Sequence, residues 1–200
     1  MTTYVNPMTK LQAVNICLSS MGEPPISTLD SAAPDAQVIS DIIDETSRSV
    51  QAIGWHWNIE KYILSPNTNN ELVLPNNTLR VDSVDTSSDI DVIQRGLRLF
   101  NRTDNAYTFT DPITVEVFVG LPFDDLPFAA KQYIALAAAR IAQQRLLGSD
   151  SLYKFNVQDE QRAWLNLLRD ESDVSDRNML YDSYSTSSML MRGAFSRGVI

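Results

Sequence analysis

The hydrophobic positions near the start of the chain repeat at helical spacing. Thr9 is a favourable N-cap residue, and apolar residues follow it at three- and four-residue intervals as far as Gly22. This stripe consists of Leu11, Val14, Leu18 and Met21. A second helix is predicted from Pro34 to Gly54. It can begin at Pro34 because proline is tolerated in the first turn of a helix. Its apolar seam consists of Val38, Ile39, Ile42, Ile43, Thr46, Val50 and Ile53. We expect the two helices to pack as an antiparallel hairpin.

Over residues 57–119 the hydrophobic period changes from helical to alternating. Turn residues such as asparagine, proline and glycine interrupt this region repeatedly. The clearest strand covers residues 113–119, in which alternate positions are apolar. Its apolar face consists of Ile113, Val115, Val117 and Val119. We expect residues 97–100 and 107–109 to precede it as strands of a meander. The region therefore predicts an antiparallel sheet or a small sandwich.

The helical period returns in an alanine-rich segment over residues 127–147. One stripe consists of Ala130, Ile134, Ala137 and Ile141, and further alanines cover much of the remaining surface. A helix that is apolar nearly all round is predicted to lie centrally, against its own bundle or a neighbouring subunit. A fourth helix is predicted over residues 151–172. The residues that we expect it to bury are Phe155, Val157, Trp164, Leu165 and Leu168.

Together these patterns predict an α+β fold with a split helical part. An antiparallel bundle of about four helices is formed by residues 1–56 and 121–172. Residues 57–120 form an inserted antiparallel β-sheet or sandwich lobe, and residues 173–200 form an extended C-terminal arm. The arm has little helical periodicity and ends in an apolar and basic cluster. It is either a frayed terminus, which this composition alone favours, or a segment that orders against a partner chain.

Charge and cysteine content narrow the classes of partner. The 200 residues carry 25 acidic and 16 basic side chains, and the net charge of -9 opposes tight binding to DNA or to anionic lipid. Cys17 is the one cysteine, so an intramolecular disulfide is impossible and a reducing compartment is expected. Residues 1–10 lack a signal-peptide pattern, and no apolar run reaches the roughly 20 residues of a membrane span. We expect a cytosolic product without a membrane partner.

The single histidine, His56, limits the catalytic chemistry that the chain could support. Any Ser-His or Cys-His relay would have to use it, and zinc sites with several histidines are excluded. Because Trp55 and Trp57 flank it, His56 is better explained as a packed residue with one ring nitrogen hydrogen-bonded. With Trp164, these residues are predicted to form an inter-lobe core that joins the helices to the sheet. A carbohydrate-binding role for the tryptophans stays open, since aromatic faces also stack on sugars.

Pairs of neighbouring carboxylates are the remaining route to an enzyme. They are Asp82 and Asp85, Asp89 and Asp91, and Asp124 and Asp125. A glycosidase needs one carboxyl with a raised pKa in an apolar site, whereas acidic loops are more often simply solvated. Residues 120–122 lack the glycine spacing and the lysine of a phosphate loop. The residues therefore predict no enzyme, no cofactor and no metal site.

Two segments resemble a known family. The first is the helix sequence of residues 13–18 followed by Gly22-Glu23, and the second is Gly-Trp-His-Trp-Asn at residues 54–58. In these segments, and less clearly over nearly the whole chain, the sequence resembles the tail tubular protein A family, the head-to-tail adaptors or gatekeepers of T7-like podoviruses. This family would make the chain a structural virion protein of a phage tail, synthesised in the cytoplasm of the host bacterium.

The resemblance also implies a set of partners. It implies a homo-oligomeric ring of about twelve copies beneath the portal protein and above the nozzle, tail tubular protein B. The β-rich part would face the nozzle or the tail fibres, and DNA would pass through an acidic ejection channel without specific binding. The arm would reach the portal, because a Met/Leu cluster adapts to a groove and arginine pairs with carboxylates. The candidate portal-binding residues are Met189, Leu190, Met191, Arg192, Phe195 and Arg197.

Two alternatives remain at the level of sequence. The first is an accessory tail-associated hydrolase of polysaccharide or peptidoglycan, or a carbohydrate-binding tail component, which would need a paired-carboxylate cleft or an aromatic sugar site. Glycan turnover that disappears with Asp124→Asn would favour the hydrolase. The second is an oligomerising helix-bundle adaptor outside viruses, which would form a ring without affinity for a portal.

Overall fold

Four α-helices and five β-strands make up the described part of the protein, which in this computed structural model comprises residues 8–30, 34–83, 91–148 and 150–174. In chain order the elements are α1 (Lys10–Ser20), α2 (Pro34–Gln51), β1 (Ile59–Leu64), β2 (Thr78–Ser83), β3 (Val92–Arg95), β4 (Arg98–Asn101), β5 (Ile113–Val119), a 3-10 helix (Phe123–Asp125), α3 (Phe128–Leu146) and α4 (Asp150–Val174). Two helices precede the strands and two follow them. The predicted α+β fold is confirmed.

Helix α1 begins with a capping box. The Thr9 hydroxyl accepts a hydrogen bond from the Gln12 backbone N–H at 3.3 Å, and the Gln12 side chain accepts one from the Thr9 N–H at 2.9 Å. Two backbone donors of the first turn are thereby satisfied. After Ser20 the chain turns at Gly22, whose φ of +81° favours glycine. The predicted N-cap and the predicted end of the helix are confirmed.

Helix α2 ends earlier and is rotated slightly from the predicted seam. It ends at Gln51 rather than Gly54, and Val38 and Ile53 are 42% and 53% exposed. The buried positions are Ala36, Ile39, Ile42, Ile43, Thr46, Ser47, Val50 and Gln51. Small and polar residues therefore take places that hydrophobicity alone assigned to Val38 and Ile53. Helices α1 and α2 contact each other, and each also packs on α3.

Strand β5 is the centre of a three-stranded antiparallel sheet in the order β1-β5-β2. The central position suits β5 because five of its seven residues are buried. Its predicted inward face is confirmed. The predicted meander is wrong, because β4 pairs with β3 in a separate hairpin with its turn at Gly96. Residues 107–109 form an isolated bridge, between Thr108 and Glu71, instead of a strand beside β5.

The described residues form two hydrophobic cores. The helical core surrounds α3, which contacts α1, α2 and α4. Its small side chains, among them the fully buried Ala130, Ala135 and Ala138, allow the other helices to approach closely. The predicted central position of this helix is confirmed. The β core lies on the inward face of β5, and Leu121, in the segment that leads back to the helices, packs against both cores.

Helix α4 packs Trp164 against the helical core as predicted, but it turns the predicted leucines outward. Ala163 and Leu167 face the core, whereas Leu165 and Leu168 are 64% and 41% exposed. A ring contact between Tyr133 and Trp164 at 5.0 Å, together with the Arg140–Glu160 ion pair, fixes this rotation against α3. The side chain of Phe155, and the arm from residue 175 onward, lie outside the described residues. None of the helices described is both long enough and apolar enough to cross a bilayer.

Candidate functional site

The three tryptophans meet where the helices join the sheet. Trp55 is buried, and its indole Nε1 donates to the Val50 carbonyl at 2.7 Å. Its ring stacks on Trp57, with centroids 6.3 Å apart, and meets Trp164 edge to face at 5.7 Å. The Trp164 ring also contacts Tyr133, as described above. Aromatic pairs of this geometry add stability beyond the area that they bury. The cluster thereby links the end of α2 to α3 and α4.

His56 connects the segment after α2 to the last turns of α4. Its backbone N–H donates to Oε1 of Glu171 at 2.9 Å, and its Nδ1 lies 2.5 Å from Oε2 of the same carboxylate. One carboxylate thus binds both the backbone and the ring of a single residue. This arrangement holds His56 in place, as expected for a packed residue whose ring nitrogen is hydrogen-bonded.

Asn58 clamps the chain where it leaves the helices for the sheet. The residue is 1% exposed, and its Oδ1 accepts from the Trp55 N–H at 2.8 Å. Its Nδ2 donates to the carbonyls of Gln51 and Val119, at 2.8 and 3.1 Å. The Val119 N–H in turn donates to the Asn58 carbonyl at 2.8 Å. One amide therefore ties the end of α2, the turn after it and the end of β5 together.

Gln51 clamps the chain where it returns from the sheet. It is also 1% exposed, and its Nε2 donates to Ser47 Oγ and to the Leu121 carbonyl, at 2.9 and 3.0 Å. The Leu121 N–H donates back to its Oε1 at 2.7 Å. Both crossings of the chain between the two cores are therefore held by a buried amide. Sequence analysis missed Gln51 and the role of Asn58, because apolar periodicity does not mark buried polar residues.

Gly54 lies at the same junction and leaves no room for a side chain. Its φ is +93°, and a Cβ built on it would lie 2.0 Å from Cε1 of Phe118. The close approach of the backbone to this ring requires glycine. The junction between helices and sheet is therefore made of stacked rings, buried amides and one tight turn.

The His56–Glu171 contact gives a first prediction. Glu171→Ala removes the acceptor of both bonds, and we expect the free energy of unfolding to fall by about 1–2 kcal/mol, because both side chains are partly buried, 26% and 24% exposed. Glu171→Gln keeps one acceptor oxygen, so the free energy of unfolding should fall by about half as much as in Glu171→Ala. Urea denaturation followed by tryptophan fluorescence measures both.

A matched control for this prediction is the ion pair between Glu45 and Arg145. Its two side chains are 56% and 52% exposed, and it joins α2 to α3 at the surface. Exposed pairs of this kind contribute little to stability. Glu45→Gln should therefore leave the denaturation midpoint unchanged. Equal effects of the substitutions at Glu45 and Glu171 would contradict a structural role for the His56 contact.

Among the carboxylates considered for catalysis, those that the structure describes have structural or exposed positions. Oδ1 of Asp124 accepts from the Lys10 N–H at 3.0 Å, and its carbonyl accepts from Lys131 Nζ at 2.7 Å. Asp124 therefore joins the 3-10 helix to the starts of α1 and α3. Asp82 and Asp125 are exposed, and Asp91 forms an exposed ion pair with Arg102. Asp85 and Asp89 lie outside the described residues. Within the described ranges, no group of three or more His, Cys, Asp or Glu side chains could hold a metal ion.

The six residues predicted to bind the portal also lie outside the described residues, since they all follow residue 174. The structure thus brings together Trp55, His56, Trp57 and Trp164, and it describes nothing of the arm. Glu171 and Tyr133 are further partners of this cluster. Sequence analysis missed them because their sequence positions carry no signal of a contact with residues far away along the chain.

Comparison with known proteins identifies the family. A family model described as tail tubular protein matches residues 11–177. A curated relative, tail tubular protein A of Klebsiella phage KP34, is 24% identical over 163 residues, which cover 82% of this chain and 87% of the relative. The resemblance seen in the sequence is confirmed. Because the family model spans most of the chain, we conclude that the protein belongs to the tail tubular protein family and is a structural component of a bacteriophage tail.

Proposed function

We propose that this tail protein is a ring-forming adaptor that connects the portal to the tail nozzle and forms part of the DNA ejection channel. The observation that carries the proposal is the family match over residues 11–177, which contains nearly all of the described helices and strands. Its work is geometric: it would join two larger assemblies and leave an open passage. The proposal involves no catalytic residue and no cofactor.

The clamped junction supports this mechanical role. An adaptor must hold its two ends in a fixed relation while DNA passes, and the two buried amides Gln51 and Asn58 restrict motion between helices and sheet. We assign residues 1–56 and 121–172 to a helical lobe that packs around the ring. Residues 57–120 would form a β-rich lobe that faces the nozzle, tail tubular protein B, or the tail fibres.

The charge of the chain supports a passage that does not bind DNA. Each copy carries a net charge of -9, so a ring of copies is strongly acidic. Phosphate groups bind to lysine and arginine clusters and are repelled by carboxylates. We therefore assign acidic rather than basic side chains to the wall of the channel. A channel lined by lysine and arginine would contradict this account.

The C-terminal arm is our candidate for the portal contact. Residues 173–200 hold a Met/Leu cluster with arginines, and flexible apolar side chains of this kind adapt to a groove. The arginines would pair with carboxylates of the portal. Most of the arm follows residue 177, where the family match ends, so the proposal for this segment rests on its composition and on the resemblance.

The proposed function predicts assembly on a portal ring. Native mass spectrometry and light scattering of the full chain, alone and after mixing with purified portal rings, should show a complete ring of copies on each portal ring. A protein that stays monomeric and has no affinity for the portal would contradict the proposed function and return the hydrolase and lectin hypotheses to consideration.

The role of the arm is tested by three apolar-to-acidic substitutions. Met189→Asp, Met191→Asp and Phe195→Asp together should weaken portal binding by about 100-fold, because apolar anchors carry most of the affinity of an interface. The matched control is Ser185→Asp, Ser187→Asp and Ser188→Asp, which adds the same charge to the same segment and should bind within about 3-fold of the natural chain. Unchanged binding of the first variant, or full binding by a chain that ends at Asp173, would contradict the assignment.

A further inference from the structure

Helix α4 carries an apolar stripe that the described part of the chain leaves uncovered. Leu165 is 64% exposed and Leu168 is 41% exposed, and Val157 and Gln161 lie on the same side of the helix. We call these four residues the α4 stripe. A groove of about 550 Å³ runs between α3 and α4, and Val157, Gln161 and Leu165 of the stripe line it together with Trp164 and the Arg140–Glu160 ion pair. Exposed apolar side chains that cluster in this way mark an interaction surface.

A second apolar patch lies where α1 meets the start of α3. Phe128 is 58% exposed, and with residues of α1 it lines a groove of about 480 Å³. We call this the α1/α3 groove; its lining consists of Met8, Gln12, Asn15, Ile16, Ser19 and Phe128. Lys10 is the only charged residue among the eleven of α1. Depletion of charge is typical of the centre of a protein interface.

The two patches face different directions. Phe128 and Tyr133, which line one groove each, lie five positions apart in α3, and this places them about 140° apart around a helix of 3.6 residues per turn. Cys17 of α1 donates to the Ala135 carbonyl, whereas Arg140 of α3 pairs with Glu160 of α4. Helices α1 and α4 therefore pack on different sides of α3, and each presents an uncovered surface.

We propose that the α4 stripe of one copy packs into the α1/α3 groove of the next copy and forms the subunit contact of the ring. The inference rests on the proposed function, because it assigns a surface to the assembly that the function requires. Two different patches on one chain make a heterologous contact, which closes into a ring when the rotation between copies allows it. A second copy is the occupant because each chain carries both patches: the two most exposed residues of the stripe are leucines, and the lining of the α1/α3 groove contains no charged residue.

The test uses the full chain with one patch changed at a time. The stripe variant carries Leu165→Glu and Leu168→Glu, and the groove variant carries Phe128→Glu. All three side chains are exposed, so the fold should be retained, and circular dichroism checks this. Native mass spectrometry, with and without portal rings, should show that each variant fails to form rings at concentrations up to about 100-fold above those that the natural chain needs.

A mixture of the two variants distinguishes this contact from others. The stripe variant keeps an intact groove and the groove variant keeps an intact stripe, so together they can form one contact but not a ring. We expect a species of two chains and nothing larger. The matched control carries Ile63→Glu and Val73→Glu, which change apolar side chains that are 74% and 48% exposed on the β part, and it should form rings normally.

Cross-linking gives a second, independent readout. Cys17 is fully buried, and burial raises the pKa of its thiol to about 12, so it should not react with maleimides in the folded protein. Gln12→Cys and Gln161→Cys place a reactive thiol in each patch. A bismaleimide should link the two variants when they are mixed. Gln161→Cys mixed with Asn69→Cys, on the β part, should give no link.

The possible outcomes separate this inference from the proposed function. Ring formation by the stripe variant or the groove variant would overturn the inference and leave the adaptor function intact. If the stripe variant loses rings while the groove variant assembles normally, another partner or another part of the same chain covers α4, and the inference again fails. If the natural chain neither forms rings nor binds the portal, the proposed function fails, and the inference fails with it.

Discussion

Replacing Gly54 with alanine is expected to lower the free energy of unfolding by about 3 kcal/mol or more. The first cause is the backbone, because a φ of +93° is one that residues with a side chain rarely adopt. The second cause is space. The added Cβ would lie 2.0 Å from Cε1 and 2.5 Å from Cδ1 of Phe118, well inside van der Waals contact.

The Phe118 ring has little freedom to move away from a side chain at position 54. It is 4% exposed and belongs to β5, which is paired on both edges. The guanidinium of Arg80 also lies over the ring, 3.9 Å from its centroid. An alanine at position 54 would have to displace the ring, the arginine above it or the turn between α2 and β1, and each of these disturbs the junction.

Gly96→Ala is the matched control for this prediction. Gly96 also has a positive φ, +64°, but a Cβ there would have nothing within 4 Å. Gly96→Ala should lower the free energy of unfolding by about 1 kcal/mol, because only the backbone conformation is unfavourable for alanine. Urea denaturation of both variants measures the difference. The double variant Gly54→Ala with Phe118→Leu should recover part of the stability that Gly54→Ala alone loses. Equal destabilisation by the two single substitutions would show that contact with Phe118 is unimportant.

The features that local sequence determines could be predicted. Thr9 is predictable as an N-cap because the helix that it caps follows it directly in the sequence. The alternation of residues 113–119 predicted the inward face of β5 for a similar reason. The partners of β5 could not be predicted in this way. Strand pairing joins residues that are far apart in the chain, and the alternating pattern of one strand does not say which other strand lies beside it.

Helix α4 shows a second limit of periodicity. Its apolar positions predict a buried stripe that includes Leu165 and Leu168. The helix does carry this stripe, but the stripe does not face the core. The structure turns Ala163 and Leu167 toward α3 instead. A hydrophobic pattern indicates that a face will be covered, but not whether the cover is the same chain or another one. A surface for a second copy and a surface for the core have the same signature in the sequence.

The junction contains some residues that the sequence marks and others that it does not mark. The aromatic and histidine residues at positions 55–57 stand out by composition, and their clustering with Trp164 was an expectation from residue type. The buried amides carry no such signal, because their partners are backbone atoms that folding brings from far away. Val119 is 61 residues from Asn58, and Leu121 is 70 residues from Gln51. Buried polar residues of this kind are recognised only once the carbonyls around them are known.

Asn58→Ala is expected to lower the free energy of unfolding by about 3–5 kcal/mol, because a buried donor or acceptor without a partner costs about 1–3 kcal/mol. The substitution removes one acceptor and two donors at a site that is 1% exposed. The Trp55 N–H and the carbonyls of Gln51 and Val119 would lose these bonds. The loss is larger than for an apolar truncation of the same size, since the groups left behind are polar.

Asn58→Asp removes the donors of the Asn58 amide but keeps an acceptor, so it tests the two contributions separately. The carboxylate can still accept from the Trp55 N–H. It also faces the two carbonyl oxygens to which Asn58 Nδ2 donates hydrogen bonds in the natural chain. Burial and these oxygens should raise the pKa of the new carboxyl, so the folded state binds a proton more tightly than the unfolded state. The stability of this variant should therefore increase as the pH falls from 7 toward about 5.

Asn77→Ala is the control that decides whether burial of the amide is the cause. Asn77 is exposed, and its Nδ2 donates one long bond, 3.4 Å, to the Gly120 carbonyl near the same junction. Water can replace that bond, so the substitution should change the free energy of unfolding by no more than about 0.5 kcal/mol. Chemical denaturation of the three variants at pH 7 gives the comparison. If Asn58→Ala were as mild as Asn77→Ala, the clamp would contribute little, and the aromatic cluster would have to hold the helices on the sheet.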